Sequence, residues 1–134
     1  MKIIFILINL MLAQLVSAQD YDKNMQEALL TWKNGNAREA SAAFGQIAEH
    51  STDQWLPNYY VALVNATESF KLQDYNEADA VLQKAQKAIT TELDKSPENT
   101  ELMVVQALIY TGYLAKDPMM NGAIYYAKVV ELYD

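Results

Sequence analysis

Asn36-Ala37-Arg38-Glu39-Ala40 and Asp74-Tyr75-Asn76-Glu77-Ala78 are the same local device written twice, 38 residues apart. In each copy a short polar residue, Asn36 or Asp74, is placed to accept a hydrogen bond from the free N–H groups of a starting helix. Glu39 or Glu77 is placed to reach back to it, as in a capping box. The same shift of 38 superimposes Ala28 on Ala66, Trp32 on Phe70, Lys33 on Lys71, Ala40 on Ala78 and Phe44 on Leu82. The agreement therefore spans two helices per unit, and the chain reads as a stack of helix pairs.

The punctuation between these helices is regular. Helical spacing from about Tyr21 to Lys33 stops at Asn34-Gly35, and a second helix runs from Asn36 to about His50. After the polar turn Ser51-Thr52-Asp53, Leu56-Pro57 suits a helix start, because proline is tolerated in the first turn. This third helix carries Tyr60, Leu63, Val64, Thr67 and Phe70. Asp74 starts a long fourth helix with Ala78, Val81, Leu82, Ala85, Ala88, Ile89 and Leu93 on one stripe, ending before Ser96-Pro97. Asn99-Thr100 opens a fifth, with Leu102, Val105, Leu108 and Ile109 at core spacing, and Asp117-Pro118 opens a sixth. The sixth carries Ala123, Tyr126, Ala127, Val130 and Tyr133. Gly122 weakens that helix by about 1 kcal/mol relative to alanine unless close packing needs the space.

Ahead of the repeats, residues 1–18 read as a signal peptide. Lys2 gives a minimal positive region, Ile3 to Ala13 is apolar apart from Asn9, and Val16-Ser17-Ala18 offers small or compact residues for cleavage after Ala18. A spanning helix needs about 20 largely apolar residues, and Asn9, Gln14 and Ser17 interrupt a shorter run. The expectation is an exported protein, periplasmic or secreted, with no membrane span once the leader is removed and a helical-repeat domain over 19–134. The sequence has no cysteine, so neither disulfides nor an N-terminal lipid on Cys are available.

Charge and composition narrow the function classes. The 134 residues carry 17 Asp and Glu against 10 Lys and Arg, a net −7, and the basic residues do not cluster. Nucleic-acid affinity rests on phosphate neutralisation by clustered cations, so nucleic acid is set aside as a partner. His50 is the only histidine and cysteine is absent, which leaves no His cluster for zinc and no thiol nucleophile. Its place at a helix C-terminus, where a cation is favoured, is the simpler account of it. Asp74, Glu77 and Asp79 lack the glycine and distal glutamate of a calcium loop. Gly35, Gly45, Gly112 and Gly122 form no phosphate-binding loop, and the sequon-like Asn65-Ala66-Thr67 lies mid-helix. No catalytic, cofactor-binding or metal site is assigned, and an enzyme is not the expected reading.

These residues resemble the tetratricopeptide repeat family, whose unit is a helix-turn-helix of 34 residues with small side chains at fixed contacts. The resemblance is carried by Ala28, Gly35, Ala40 and Phe44 in the first pair and by Ala66, Tyr75, Ala78, Leu82 and Ala85 in the second. In the third it rests on Ala107, Tyr110, Ala123, Ala127 and the preceding Pro97. The spacing departs from the family, at 38 residues from Ala28 to Ala66 and 41 from Ala66 to Ala107. That implies a longer first linker, extra turns in the fourth helix, and degenerate repeats. The fold implied is all-α, antiparallel helix pairs stacked as a right-handed α-solenoid of three such pairs.

The resemblance also implies a concave groove lined by the first helix of each pair: Met25, Leu29, Trp32, Lys33, Tyr60, Leu63, Thr67, Phe70, Lys71, Val104 and Leu108. A mostly apolar groove suits a peptide or protein surface, and for Trp32 and Phe70 packing between neighbouring pairs competes with that role. Only Lys33 and Lys71 stand where family members clamp a terminal carboxylate, so that clamp is not transferred. Two functions remain. One is an adaptor holding a protein or peptide partner in the groove; the other is an assembly subunit that docks, or self-associates, through its last helix. Tyr126, Val129, Val130 and Tyr133 end the chain without the polar outer face that closes such stacks. Either further helices follow Asp134 in the natural protein, or a partner covers this end.

Overall fold

The computed structural model describes the backbone of residues 2–133 and the side chains of residues 18–133. The signal segment expected over 1–18 lies, Ala18 apart, outside the residues whose side chains are described. Among the described residues there are six helices and no strand: α1 (Lys2–Lys33), α2 (Ala37–His50), α3 (Leu56–Ser69), α4 (Tyr75–Leu93), α5 (Thr100–Lys116) and α6 (Pro118–Glu131). The protein is all-α. Each helix packs on the next in the chain, and α3 also packs on α5. Among the described residues no helix is long and apolar enough to cross a membrane.

The helix boundaries follow local chemistry. At the end of α1, Gly35 adopts φ +89, the left-handed conformation that glycine enters without a Cβ penalty. The Asn36 N–H bonds to Thr31 O at 3.2 Å and the Gly35 N–H to Trp32 O at 2.9 Å, the paired bonds of a Schellman ending. This corrects one half of the duplicated cap. Asn36 is engaged in closing α1, and its side chain makes no cap bond to α2. Asp74 does cap, its Oδ1 accepting from Glu77 N at 2.9 Å. Asn99 Oδ1 accepts from Glu101 N and Leu102 N, and Asp117 Oδ1 from Met120 N at 3.1 Å, so both of these starts are capped.

The core runs through all but the last helix. Phe44, Leu82, Ile89, Leu102 and Ile109 are fully buried, and the alanines Ala28, Ala40, Ala62, Ala66 and Ala85 let the helix axes approach between them. The equivalences at a spacing of 38 hold here: Ala28 with Ala66, Ala40 with Ala78, and Phe44 with Leu82 are all buried pairs. Helix α3 is enclosed most completely, burying Pro57, Val61, Ala62, Val64, Asn65, Ala66 and Ser69. Two of these are polar, and each has a partner. Asn65 Nδ2 donates to Ser41 Oγ and to Val61 O, both at 2.7 Å, and Ser69 Oγ donates to Ala66 O at 2.7 Å. Asn65 is therefore a tie between α3 and α2, and its amide has no free access for a sugar.

The length of α4 has a physical use. At 19 residues it outruns α2, with 14, and its last turn carries the buried Glu92. Asn58 Nδ2 donates to Glu92 Oε1 at 2.6 Å, and Lys95 Nζ lies 3.3 Å from the same carboxylate and 3.2 Å from Thr52 O. The extra turns thus tie α4 to the start of α3 and to the linker before it. A buried carboxylate without such partners would be strongly destabilising.

Glycine distinguishes the packed helix from the open one. A Cβ on Gly112 would stand 2.6 Å from Leu82 Cδ2 and 3.1 Å from Ser69 Oγ, so α5 approaches α3 and α4 too closely for a side chain there. A Cβ on Gly122 would meet nothing within 4 Å, so α6 gains no packing from that glycine. Gly112→Ala is expected to destabilise the protein by about 1–3 kcal/mol through overpacking. Gly122→Ala is expected to stabilise it by up to about 1 kcal/mol through helix propensity. Urea denaturation of the two variants beside the parent measures both, and equal effects would refute the close approach at Gly112.

Candidate interaction surface

The eleven groove residues do not share one environment. Met25 is buried in the core at 5% exposure, which removes it from any groove surface. Leu29, Trp32, Tyr60, Leu63 and Leu108 are half-buried and packed against the core. Trp32 stands edge-on to Tyr60 with centroids 6.4 Å apart, and Tyr60 stacks on Phe44 at 5.0 Å. Thr67 is half-buried, its hydroxyl donating to Leu63 O at 2.7 Å. Lys33, Phe70, Lys71 and Val104 are exposed, Phe70 at 47%. Lys71 pairs with Glu68 at 3.0 Å, on the preceding turn of the chain. Trp32 and Phe70, equivalent in sequence, thus have different fates, because only Trp32 faces an aromatic neighbour on α3.

A more continuous apolar surface lies on α6. Its packed side is set by tyrosines. Tyr125 stacks on Tyr113 of α5, with centroids 4.8 Å apart and planes within 11°, and tilts against Tyr110 at 5.6 Å. Asn121 Nδ2 donates to Tyr113 O at 2.7 Å, and the Lys128 ammonium stands over the Tyr125 and Tyr110 rings at 5.2 and 5.5 Å. These contacts turn Tyr125, Val129 and Leu132 toward the neighbouring helix, where they are half-buried.

Ala123, Tyr126, Ala127, Val130 and Tyr133 thereby face outward, and all five are exposed; of the four residues read from sequence as an unclosed end, only Val129 is turned inward. The reason is that both sides of this helix are apolar, so periodicity does not choose between them. Tyrosine stacking and the Asn121 bond make the choice. Met119 (97% exposed), Met120 and Ile124 extend the outward face. No residue of α6 is buried. Of the large hydrophobic side chains exposed among the described residues, Met119, Met120, Ile124, Tyr126, Val130 and Tyr133 all belong to this one segment. Glu131 is exposed on the same face, beside Met120 and Ile124; large apolar side chains gathered in this way mark an interaction site more often than scattered exposure does.

Among the described residues, an open cleft of about 570 Å³ between α1 and α2 is lined by polar side chains, including Asp20, Glu27 and His50, and by the apolar Ala28, Ala43 and Ile47. The His50 ring nitrogen Nδ1 lies 2.8 Å from Gln46 O, which places the imidazole against the C-terminal turn of α2. The carboxylates Asp74 and Asp79, considered from sequence for calcium, are engaged elsewhere. Asp74 caps α4, and Asp79 pairs with Lys116 of α5 and accepts from Gln83 Nε2. The Lys116 side chain is nearly buried, its ammonium 3.9 Å from the Tyr75 ring centroid, and it bolts α5 to α4. Sequence reasoning did not find Lys116, because its partners lie 37 and 41 residues away.

Beside that bolt, burial pushes the Tyr113 hydroxyl up to about 12, with the nearby Tyr125 and Asp79 adding to the shift. A folded-state value above the usual 10 means that unfolding lets the proton go more easily. This contribution to stability is complete below pH 10 and is lost as pH rises toward about 12. Tyr113→Phe is therefore expected to flatten the fall in melting temperature over that interval. An unchanged slope would show that Tyr113 does not titrate late. For the aromatic pair, Trp32→Ala is expected to cost about 2–3 kcal/mol and Phe70→Ala less than about 1 kcal/mol, read by thermal unfolding.

No protein-family model, curated protein or solved structure matches this chain.

Proposed function

We propose that this chain is a non-catalytic helical-repeat interaction protein, its helix pairs stacked in the manner of tetratricopeptide repeats, whose docking surface is the outward face of α6. One observation carries the reading: large apolar side chains from Met119 to Tyr133 are gathered on the exposed face of a single helix. Burying apolar surface is favourable at roughly 25 cal/mol per Å², so a face of this kind binds whatever helix or groove is complementary to it. Pair-by-pair stacking is supported by the buried equivalences at a spacing of 38 and by the packing of α3 on α5.

Export fits the same reading. Among the described residues, Ala18, Gln19 and Asp20 are exposed and the core contacts begin with Tyr21 and Met25, so cleavage after Ala18 would keep every described core contact of α1. Lys2 is the only charge in the proposed leader, and its removal makes an acidic chain one unit more acidic.

The groove reading keeps one supporting observation. Phe70 is exposed at the end of α3, with Lys71 beside it. A photo-crosslinking amino acid placed singly at Met119, Val130 or Phe70 separates the two surfaces in the cell. Adducts are expected from positions 119 and 130 and not from 70. The reverse pattern would transfer the function to the groove, and adducts from none of the three would remove both surfaces.

A further inference from the structure

Resting on the export reading above, we infer that cleavage after Ala18 creates a modification site: Gln19, as the new first residue, closes on itself to pyroglutamate. What carries this is the residue that the cut leaves in front. Glutamine holds a neutral carboxamide at the distance where a chain-terminal amine reaches it through an unstrained five-membered ring. Asparagine would have to form a strained four-membered ring, and the carboxylate of a glutamate is a poor electrophile.

The step balances within the one residue. The lone pair of the free α-amine forms a bond to Cδ of Gln19, the Cδ–Nε2 bond breaks, and the departing nitrogen takes the amine's proton and leaves as ammonia. No oxidant, reductant or co-reactant is needed. Amine and carboxamide belong to the same side chain and backbone unit, so the attack has the advantage of an intramolecular reaction.

The surroundings of Gln19 suit both the reaction and its product. Ala18, Gln19 and Asp20 are exposed, and the described core contacts of α1 begin with Tyr21 and Met25. Closing the ring therefore displaces no described packing. The backbone of α1 is helical at Gln19, and the N–H groups of a first helical turn have no acceptor within the helix. Tying the first nitrogen into a ring costs that turn no hydrogen bond, as with proline at the first position of a helix.

Charge favours the product as well. A free α-ammonium would stand at the positive end of the α1 dipole, where a cation is disfavoured. The lactam is neutral and leaves Asp20 and Asp22 as the charged groups of the first turn, where anions are favoured. It also removes the free amine by which aminopeptidases hold a chain. Stepwise trimming would take Gln19 and Asp20 and then reach Tyr21, so the ring guards the packed end of α1.

Intact mass spectrometry tests this on the protein recovered from the cell that exports it. The sample is transferred at once to cold dilute acid, where a free α-amine is protonated and is no longer a nucleophile. The expected species is residues 19–134 lighter by one ammonia, with fragmentation of the N-terminal peptide placing the loss at Gln19. Gln19→Asn is expected to be cut at the same bond and to show the full mass of its own residues 19–134, with a free amine. An aminopeptidase should shorten that variant while the parent keeps its length. Parent chains found at full mass from Gln19 onward would overturn the ring and leave the export reading standing. Chains that still carry residues 1–18, or that are cut at another bond, would overturn the ring together with cleavage after Ala18.

Discussion

The burial of α3 among α2, α4 and α5 is the constraint on which the remaining structure depends. A helix enclosed on three sides has little room for large side chains on every face. It meets this by placing Ala62 and Ala66 at the closest crossings and Val61 and Val64 between them. Where α5 comes nearest, the small residue is on the other helix, at Gly112, whose bare backbone accepts Leu82 and the Ser69 hydroxyl. The polar atoms trapped by this arrangement are all used: Asn65 reaches Ser41, and Ser69 turns back to Ala66. An unpaired amide at that depth would cost a few kcal/mol, so these bonds are conditions for the packing.

From this centre, order spreads by specific bolts. Glu92, held by Asn58 and Lys95, fixes the far end of α4 to the linker before α3, and Lys116 with Asp79 fixes α5 to the near end of α4. The last helix is fastened differently. It has no buried residue, and its position is set by a tyrosine stack and one side-chain bond to a carbonyl. An outer helix held on one side by aromatic contact keeps its other side available, and here that side is apolar.

Much of the architecture was legible from local signals. Asp74, Asn99 and Asp117 each place an acceptor where a starting helix has free donors, and Pro57 and Pro118 sit where the missing N–H costs nothing. Asn36 misled, because the Gly35 ending of α1 uses that residue's backbone and leaves its side chain off the cap. Trp32 and Phe70 occupy equivalent positions, yet one packs on Tyr60 and the other projects into solvent. Equivalence by spacing identifies which residues correspond. It does not say which neighbour each will find.

What the sequence by itself determined is the helix boundaries from the end of α1 onward and the small-residue contacts of the first five helices, since caps, turns and i to i+4 spacing act over a few residues, whereas α1 begins at Lys2 and not near Tyr21. Only the tertiary structure decided which face of α6 is free, because that helix is apolar on both sides and its rotation depends on tyrosines of α5. The buried roles of Lys116, Glu92 and Asn65 were also decided there, through partners that lie 24 to 37 residues away and meet only when the helices pack. A helix with two usable faces carries no local signal for choosing one, and the choice falls to whichever neighbour binds first and best.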